Sequence, residues 1–236
     1  IGDGLVTHAG TTVAAGTVLA PSSVQELEVE THTAFDLADK YSIYIILLGD
    51  GMLGQMMEPV EFKHEAPAVP PVRPGGLRGA TGRPSRFIRS FTSNPAELEE
   101  LNWSLYRRYQ QIQEKETSCE KFMTDDAQLI VTAFGIAARI ARGAITNARA
   151  LGMKVGMFRP VTLWPFPKDQ LKELSKTAKY FLDFEMNMGQ MIDDVKLSLE
   201  GSGDVTFYGR PGGVIPTSSE VLRVITRLYY QKGLNG

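Results

Sequence analysis

Two short segments bring acidic, amide and thioether side chains together where an apolar run ends. They are LLGDGMLGQMMEPV (47–60) and DFEMNMGQMIDDV (183–195), and each contains Gly-Gln-Met. Asp50, Glu58 and Glu185 can accept hydrogen bonds or exchange protons, and Gln55, Asn187 and Gln190 can orient a polar group. Met52, Met56, Met57, Met186, Met188 and Met191 add flexible, polarisable contact surface. Arg210, in RPGGVIPT (210–217), supplies a cation to the same set. Such a combination suits contact with a ligand or a partner chain. Loop-ordering hydrogen bonds around Glu185, and a methionine-filled local core, account for the same residues without either.

Other candidate chemistry is weaker. GDGMLG (49–54) offers glycine amides to an anion, but it matches neither G-x-G-x-x-G nor the P-loop pattern, and no lysine is suitably placed. AFGIAARIARG (133–143) reads as a glycine turn entering a helix N-terminus, which favours anions. A tight strand–helix connection calls for the same glycine. Asp193 and Asp194, in the first turn of a helix, stabilise its macrodipole without catalysis. No Ser lies in a G-x-S-x-G elbow, no nucleophile–base–orienter triad can be assembled and no carboxylate pair is demonstrably convergent. The 3 histidines, His8, His32 and His64, follow no metal spacing. One cysteine, Cys119, excludes a disulfide framework and any cysteine-ligated cluster built by this chain alone.

A net charge of −2 with mixed signs argues against a nucleic-acid footprint. No apolar run approaches the roughly 18–20 residues of a membrane span. Single-cysteine usage fits a reducing cytoplasm. The opening IGDGLVTHAGTTVAAG reads as a small, polar, glycine-rich loop, which predicts that the 236 residues are a fragment.

The elements that must carry these residues follow from periodicity. TVLA (17–20) is a short strand, and Ser23 with Glu26 has capping-box spacing for the helix behind it. That helix carries Val24, Leu27, Thr31, Phe35 and Ala38 at helical intervals. SIYIILLG (42–49) reads as a strand covered on both faces. Residues 59–90, rich in Pro, Gly and Arg, read as an extended connector. A helix follows from Pro95, capped by Ser93 or Asn94, with Leu98, Leu101, Leu105, Tyr109 and Ile112 on one stripe.

From Asp126 the strand–helix alternation is regular. Strands at 127–135, 154–160, 179–186 and 204–211 alternate with helices at 136–152, 165–178, 189–201 and 217–233. The first of these helices carries Ile136, Ile140, Ala144, Ala148 and Leu151 inward, and Thr217 with Glu220 forms a second capping box. Such alternation predicts a parallel sheet with helices on both faces, and ligands gather at the carboxyl ends of its strands.

Seven stretches together resemble the α subunit of the 2-oxoacid:ferredoxin oxidoreductases, most closely the 3-methyl-2-oxobutanoate (2-ketoisovalerate) type. They are VLAPSSVQE (18–26), AFDLADKY (34–41), LGDGMLGQMMEPVEF (48–62), NPAELEELN (94–102), VGMFRPVTLWPFP (155–167), FEMNMGQMIDDVKL (184–197) and FYGRPGGVIPTSSEVL (207–222). The resemblance implies an α/β fold: a transketolase C-terminal-like parallel sheet domain preceded by the tail of a pyrimidine-binding-type domain. It assigns 1–62 to the remnant of the first domain, 63–125 to a connector with a linker helix, and 126–236 to the second domain.

It further implies oxidative decarboxylation of a branched-chain 2-oxoacid to an acyl-CoA, with ferredoxin reduced. Thiamine diphosphate, Mg and iron–sulfur clusters are expected in the full complex and none on this chain alone. A thiamine-binding β subunit, a γ subunit and a ferredoxin-like subunit are the expected partners. The family's upstream Tyr-Pro-Ile-Thr-Pro-like loop and thiamine-activating glutamate have no match here, and SIYI departs from the usual Asn-Pro-Val-like turn. A 2-oxoglutarate-type subunit, a non-catalytic module of the same fold and a nucleotide-binding α/β protein are the alternatives.

Overall fold

The computed structural model describes residues 16–62, 79–85 and 92–234. The opening loop, His8, His64 and the connector segments 63–78 and 86–91 lie outside the described residues.

Strand β1 (Thr17–Leu19), helix α1 (Val24–Tyr41) and strand β2 (Ile45–Leu47) form the expected strand–helix–strand unit, with β1 and β2 parallel. Ser23 Oγ accepts from the Glu26 N–H at 3.1 Å, but Glu26 does not complete the box. Its carboxylate accepts from the N–H (2.8 Å) and hydroxyl (3.0 Å) of Ser22, one residue earlier. The buried stripe of α1 is Glu30, Ala34, Leu37 and Tyr41, while Phe35 is 64% exposed. The helix is thus turned away from the face its apolar residues suggest, because Leu37 and Tyr41 are the ones that meet Val18, Ile112 and Trp164. Strand β2 is also less covered than expected: Tyr44 and Ile46 are exposed.

Helix α2 (Pro95–Lys115) is capped by Asn94, whose Oδ1 accepts from the Ala96 N–H at 3.1 Å. Its stripe lies as the spacing predicts, with Ile112 buried and Tyr109 edge-on to Trp164 at 5.5 Å between ring centres.

The large sheet contains β3 (Cys119–Phe122), β4 (Leu129–Thr132), β5 (Val155–Pro160), β7 (Tyr180–Glu185) and β8 (Asp204–Gly209) in the order β3-β5-β4-β7-β8. All but β3 run parallel. Helices α3 (Gly135–Ala150) and α6 (Ser218–Gln231) cover one face, and α4 (Lys168–Leu174) and α5 (Met191–Leu199) the other. Alanines 137, 138, 141, 144 and 148 of α3 all join the core, and small side chains let the helix sit close to the sheet and α6. Leu151 is exposed instead of inward, because α3 ends at Ala150 and the chain turns at Gly152 (φ +85°). The Thr217–Glu220 capping box of α6 is present in both halves.

Two strands have no counterpart in the sequence reading. Strand β3 is an antiparallel edge of the large sheet. Strand β6 (Thr162–Trp164) lies between β5 and α4 in sequence yet pairs antiparallel with β1, giving a three-stranded sheet β2-β1-β6. No helix among the described residues is long and apolar enough to cross a membrane.

Candidate functional site

The carboxyl ends of β4 and β7 and the loop after β2 meet at one rim of the molecule. Two clefts open there. One of about 330 Å³ is lined by Met52, Gln55, Ile136 and Ile215, among others. The second, of about 220 Å³, is lined by Phe134, Asn187 and Gln190. Asp50 and Met186 line both clefts, so the two Gly-Gln-Met turns flank a common wall. Gln55 and Gln190 are exposed, and none of the described residues hydrogen-bonds their side-chain amides. Met52 (42%), Met57 (97%) and Met188 (79%) are exposed on the same loops, whereas Met191 is buried in the core.

The carboxylates have different tasks. Helix α3 has no side-chain cap of its own, and Asp50 supplies one from 86 residues away. Its Oδ2 accepts from the Ile136 N–H at 2.9 Å, while Oδ1 accepts from the Leu53 N–H at 2.9 Å and closes its own turn. Gly135 adopts φ +55°, and a Cβ there would come within 3.0 Å of Asp50 Oδ2. The helix N-terminus is therefore an anion site, and the anion is the protein's own.

Glu58 does the same for α1. It accepts from the Val24 N–H at 3.1 Å and from Arg139 of α3. The Arg139 hydrogen bond and then the Val24 N–H hold its carboxyl below the usual range. Glu185, fully buried, caps α5 by accepting from the N–H groups of Gln190 (3.1 Å), Met191 (3.0 Å) and Ile192 (3.2 Å). Asn187 donates to it at 2.9 Å, and its Oδ1 accepts from the Gly189 N–H at 2.7 Å. Arg210 turns away from the clefts and pairs with Glu220 of the α6 capping box at 3.6 Å. Asp193 lies exposed in the first turn of α5, where its charge complements the helix dipole.

Two further groups escaped the sequence reading. Arg159, 4% exposed in the apolar strand β5, grips Glu26 of α1 with both Nη atoms at 2.9 Å and Glu120 of β3 through Nε at 2.8 Å. Burial raises the Glu26 carboxyl, but the Ser22 N–H and the Arg159 guanidinium outweigh it and hold it below the usual range. Beside it Glu30 is buried with one carboxylate oxygen unpartnered. Burial, and then the Glu26 charge, push Glu30 up to about 7. The second group is Asp183, fully buried on β7 and bonded to Thr132 at 2.6 Å. Each had one sequence signal: a charged residue inside an apolar strand, alone in VGMFRP and followed two residues later by Glu185 in YFLDFE.

Glu30 gives a prediction with a definite sign. Its folded value lies above 4.5, so the native state holds a proton that the unfolded chain releases. Its contribution to stability is whole below pH 4.5 and is lost as pH rises to about 7. Glu30→Gln is expected to raise stability by about 2–3 kcal/mol at pH 8 and to leave it unchanged at pH 4. Paired urea denaturation curves at the two pH values check this.

Residues 127–221 match the family model of the pyruvate:ferredoxin oxidoreductase core domain II. Over 211 residues the chain is 39% identical to the ketoisovalerate oxidoreductase subunit VorB of Methanothermobacter marburgensis, covering 89% of this chain and 60% of that protein. The chain is homologous to 2-oxoacid:ferredoxin oxidoreductase subunits. A 2-oxoglutarate synthase subunit, KorA of the same organism, is 29% identical over 233 residues, with 88% of this chain and 62% of that protein covered. The fold of this oxidoreductase homologue is shared with the 2-oxoglutarate:ferredoxin oxidoreductase of Magnetococcus marinus, at TM-score 0.65 and 18% identity, over 89% of this chain and 42% of that one. The homologue spans about 60% of the length of the ketoisovalerate subunit it matches.

Thiamine chemistry needs a carboxylate left available to the pyrimidine ring as an acid–base partner. In this oxidoreductase homologue Asp50, Glu58 and Glu185 are all engaged as helix caps, so the rim residues do not fit that role. Among the described residues no group of three His, Cys, Asp or Glu side chains could hold a metal ion.

Proposed function

We propose that this chain is the α subunit, or a part of it, of a thiamine-dependent 2-oxoacid:ferredoxin oxidoreductase acting on a branched-chain 2-oxoacid. The reaction is decarboxylation of the oxoacid, transfer of the acyl group to CoA and delivery of two electrons to ferredoxin. The chain's part is to frame the reaction centre. Thiamine diphosphate with Mg belongs to a β subunit, the iron–sulfur clusters to a ferredoxin-like subunit, and a γ subunit completes a cytoplasmic complex. Residues 1–62 and 126–236 serve as two α/β parts joined through 63–125.

The observation that carries this reading is the identity to the ketoisovalerate subunits, which exceeds that to the 2-oxoglutarate subunits. Co-expression with the neighbouring subunits, followed by ferredoxin reduction with 3-methyl-2-oxobutanoate and with 2-oxoglutarate, tests it. Faster turnover of the branched substrate is expected. Preference for 2-oxoglutarate would reassign the substrate, and no turnover of either by a complete complex would leave an interaction module of the same fold.

The exposed glutamines and methionines of the two turns support docking of a partner chain at the rim. Gln55→Ala and Gln190→Ala are expected to weaken assembly about tenfold, an effect of roughly 1.4 kcal/mol. Their melting temperatures should stay within a degree of wild type. Sedimentation or pull-down titration reads the first quantity and thermal denaturation the second. Undiminished assembly in both variants would refute the docking role.

A further inference from the structure

Asp183 and Glu185 stand two residues apart on β7 and so project from the same face of the sheet. Both are fully buried. Glu185 is saturated by its three backbone donors and Asn187. Asp183 has one donor, the Thr132 hydroxyl, from the residue directly opposite it on β4. Its Oδ2 has no partner at all. On the other side β8 places Phe207 opposite it. The charged groups acting on it are Glu185 on its own strand and Lys196 of α5.

An ionised Asp183 would be a second buried anion beside Glu185, with a single neutral donor and no access to solvent, an arrangement costly in any protein interior. We propose that a proton resident on Asp183 keeps the Glu185 cap in place, and that loss of this proton in mildly alkaline solution releases the second Gly-Gln-Met turn. Asp183 is thus a positioning residue for the rim, acting through Glu185. Burial, then the Glu185 carboxyl, push its carboxyl up to about 8; Thr132 and Lys196 pull in the opposite direction. Repulsion must be relieved somewhere. Strands β4 and β7 are enclosed by the core, whereas the turn between β7 and α5 carries exposed Met188 and Gln190. Displacement of the turn, with Glu185 following it, is the route that leaves the sheet intact.

The inference rests on this chain's own residues and stands whatever substrate the complex takes. Hydrogen–deuterium exchange of the 236-residue chain, corrected for intrinsic rates, tests it between pH 6.5 and 9.5. In the wild type, protection of the Gln190, Met191 and Ile192 amides should fall about tenfold per pH unit above the transition. Asp183→Asn, which mimics the protonated acid, should keep those amides protected at every pH. Thr132→Val removes the one donor that favours the anion and should move the transition upward. Constant protection in the wild type would overturn the proposal. So would an Asp183→Asn profile that follows the wild type, or, should that variant not fold, an unmoved transition in Thr132→Val.

Discussion

Arg159→Met is expected to destabilise the protein by about 3 kcal/mol at pH 7, the low end of the range for removing one partner of a buried ion pair, because Arg159 is buried while the Glu26 and Glu120 side chains are about a third exposed. The guanidinium holds α1 and β3 together by three hydrogen bonds, two to Glu26 and one to Glu120. Methionine fills much of the volume but leaves Glu26 without its cation, and Glu30 beside it loses the one charge that favours its ionised form, while Glu120 keeps its pairing with Arg142. The cost should shrink as pH falls from 7 towards 4: Glu30 takes up its proton near 7, and in the variant Glu26, without the guanidinium that holds it low, takes one up as the pH falls further, so neither then needs a counter-charge. Adding Glu26→Gln to Arg159→Met should return part of the loss, and the double-mutant cycle gives the coupling of the pair. Urea denaturation of the four proteins at pH 7 and pH 4.5 reads all of this. A wild-type midpoint for Arg159→Met would show that the grip contributes nothing to the fold.

Glu185→Ala is the second large effect, with an expected loss of about 3 kcal/mol. Capping contacts alone are worth about 0.5–2 kcal/mol. Here one carboxylate serves three amide donors, and the Met191 N–H is buried, so an unmade bond adds its own desolvation cost of about 1–3 kcal/mol. The loss should be smaller at pH 9 than at pH 6. Removing Glu185 also removes the neighbour that helps push Asp183 up, so the variant escapes a repulsion that the wild type suffers once Asp183 ionises. Guanidinium denaturation at both pH values measures the difference. An equal loss at the two would mean that the carboxyls do not communicate.

What could be read from the sequence follows from which forces act locally. Apart from the inserted strand β6, the run from Leu129 to Gln231 alternates strands and helices as its periodicity dictates, and the Thr217 capping box lies within four consecutive residues. The face of α1 was not legible. Its apolar residues suggest one stripe, but a buried Glu30 and the partners waiting on β1 and β6 select another. CEKF and TLW carry too little periodicity to announce strands, and only the neighbouring strands β5 and β1 make them so. At the rim, the choice of Asp50, Glu58 and Glu185 as acceptors needed only their residue types. The donors of Glu185 are local, within seven residues, but those of the other two were hidden: Ile136 is 86 residues from Asp50 and Arg139 is 81 from Glu58. Sequence spacing carries no record of such pairings, whereas a charged residue inside an apolar strand, as at Arg159 and Asp183, does leave one.

The three-stranded sheet has a mechanical consequence. Strand β6 continues directly from β5 of the large sheet, yet its backbone is stitched to β1. Arg159, one residue from the end of β5, is bolted to α1 alongside it. A hinge between the two sheets would have to tear both fastenings at once. The two sheets therefore move as one body, and any opening at the rim must come from whatever packs against them.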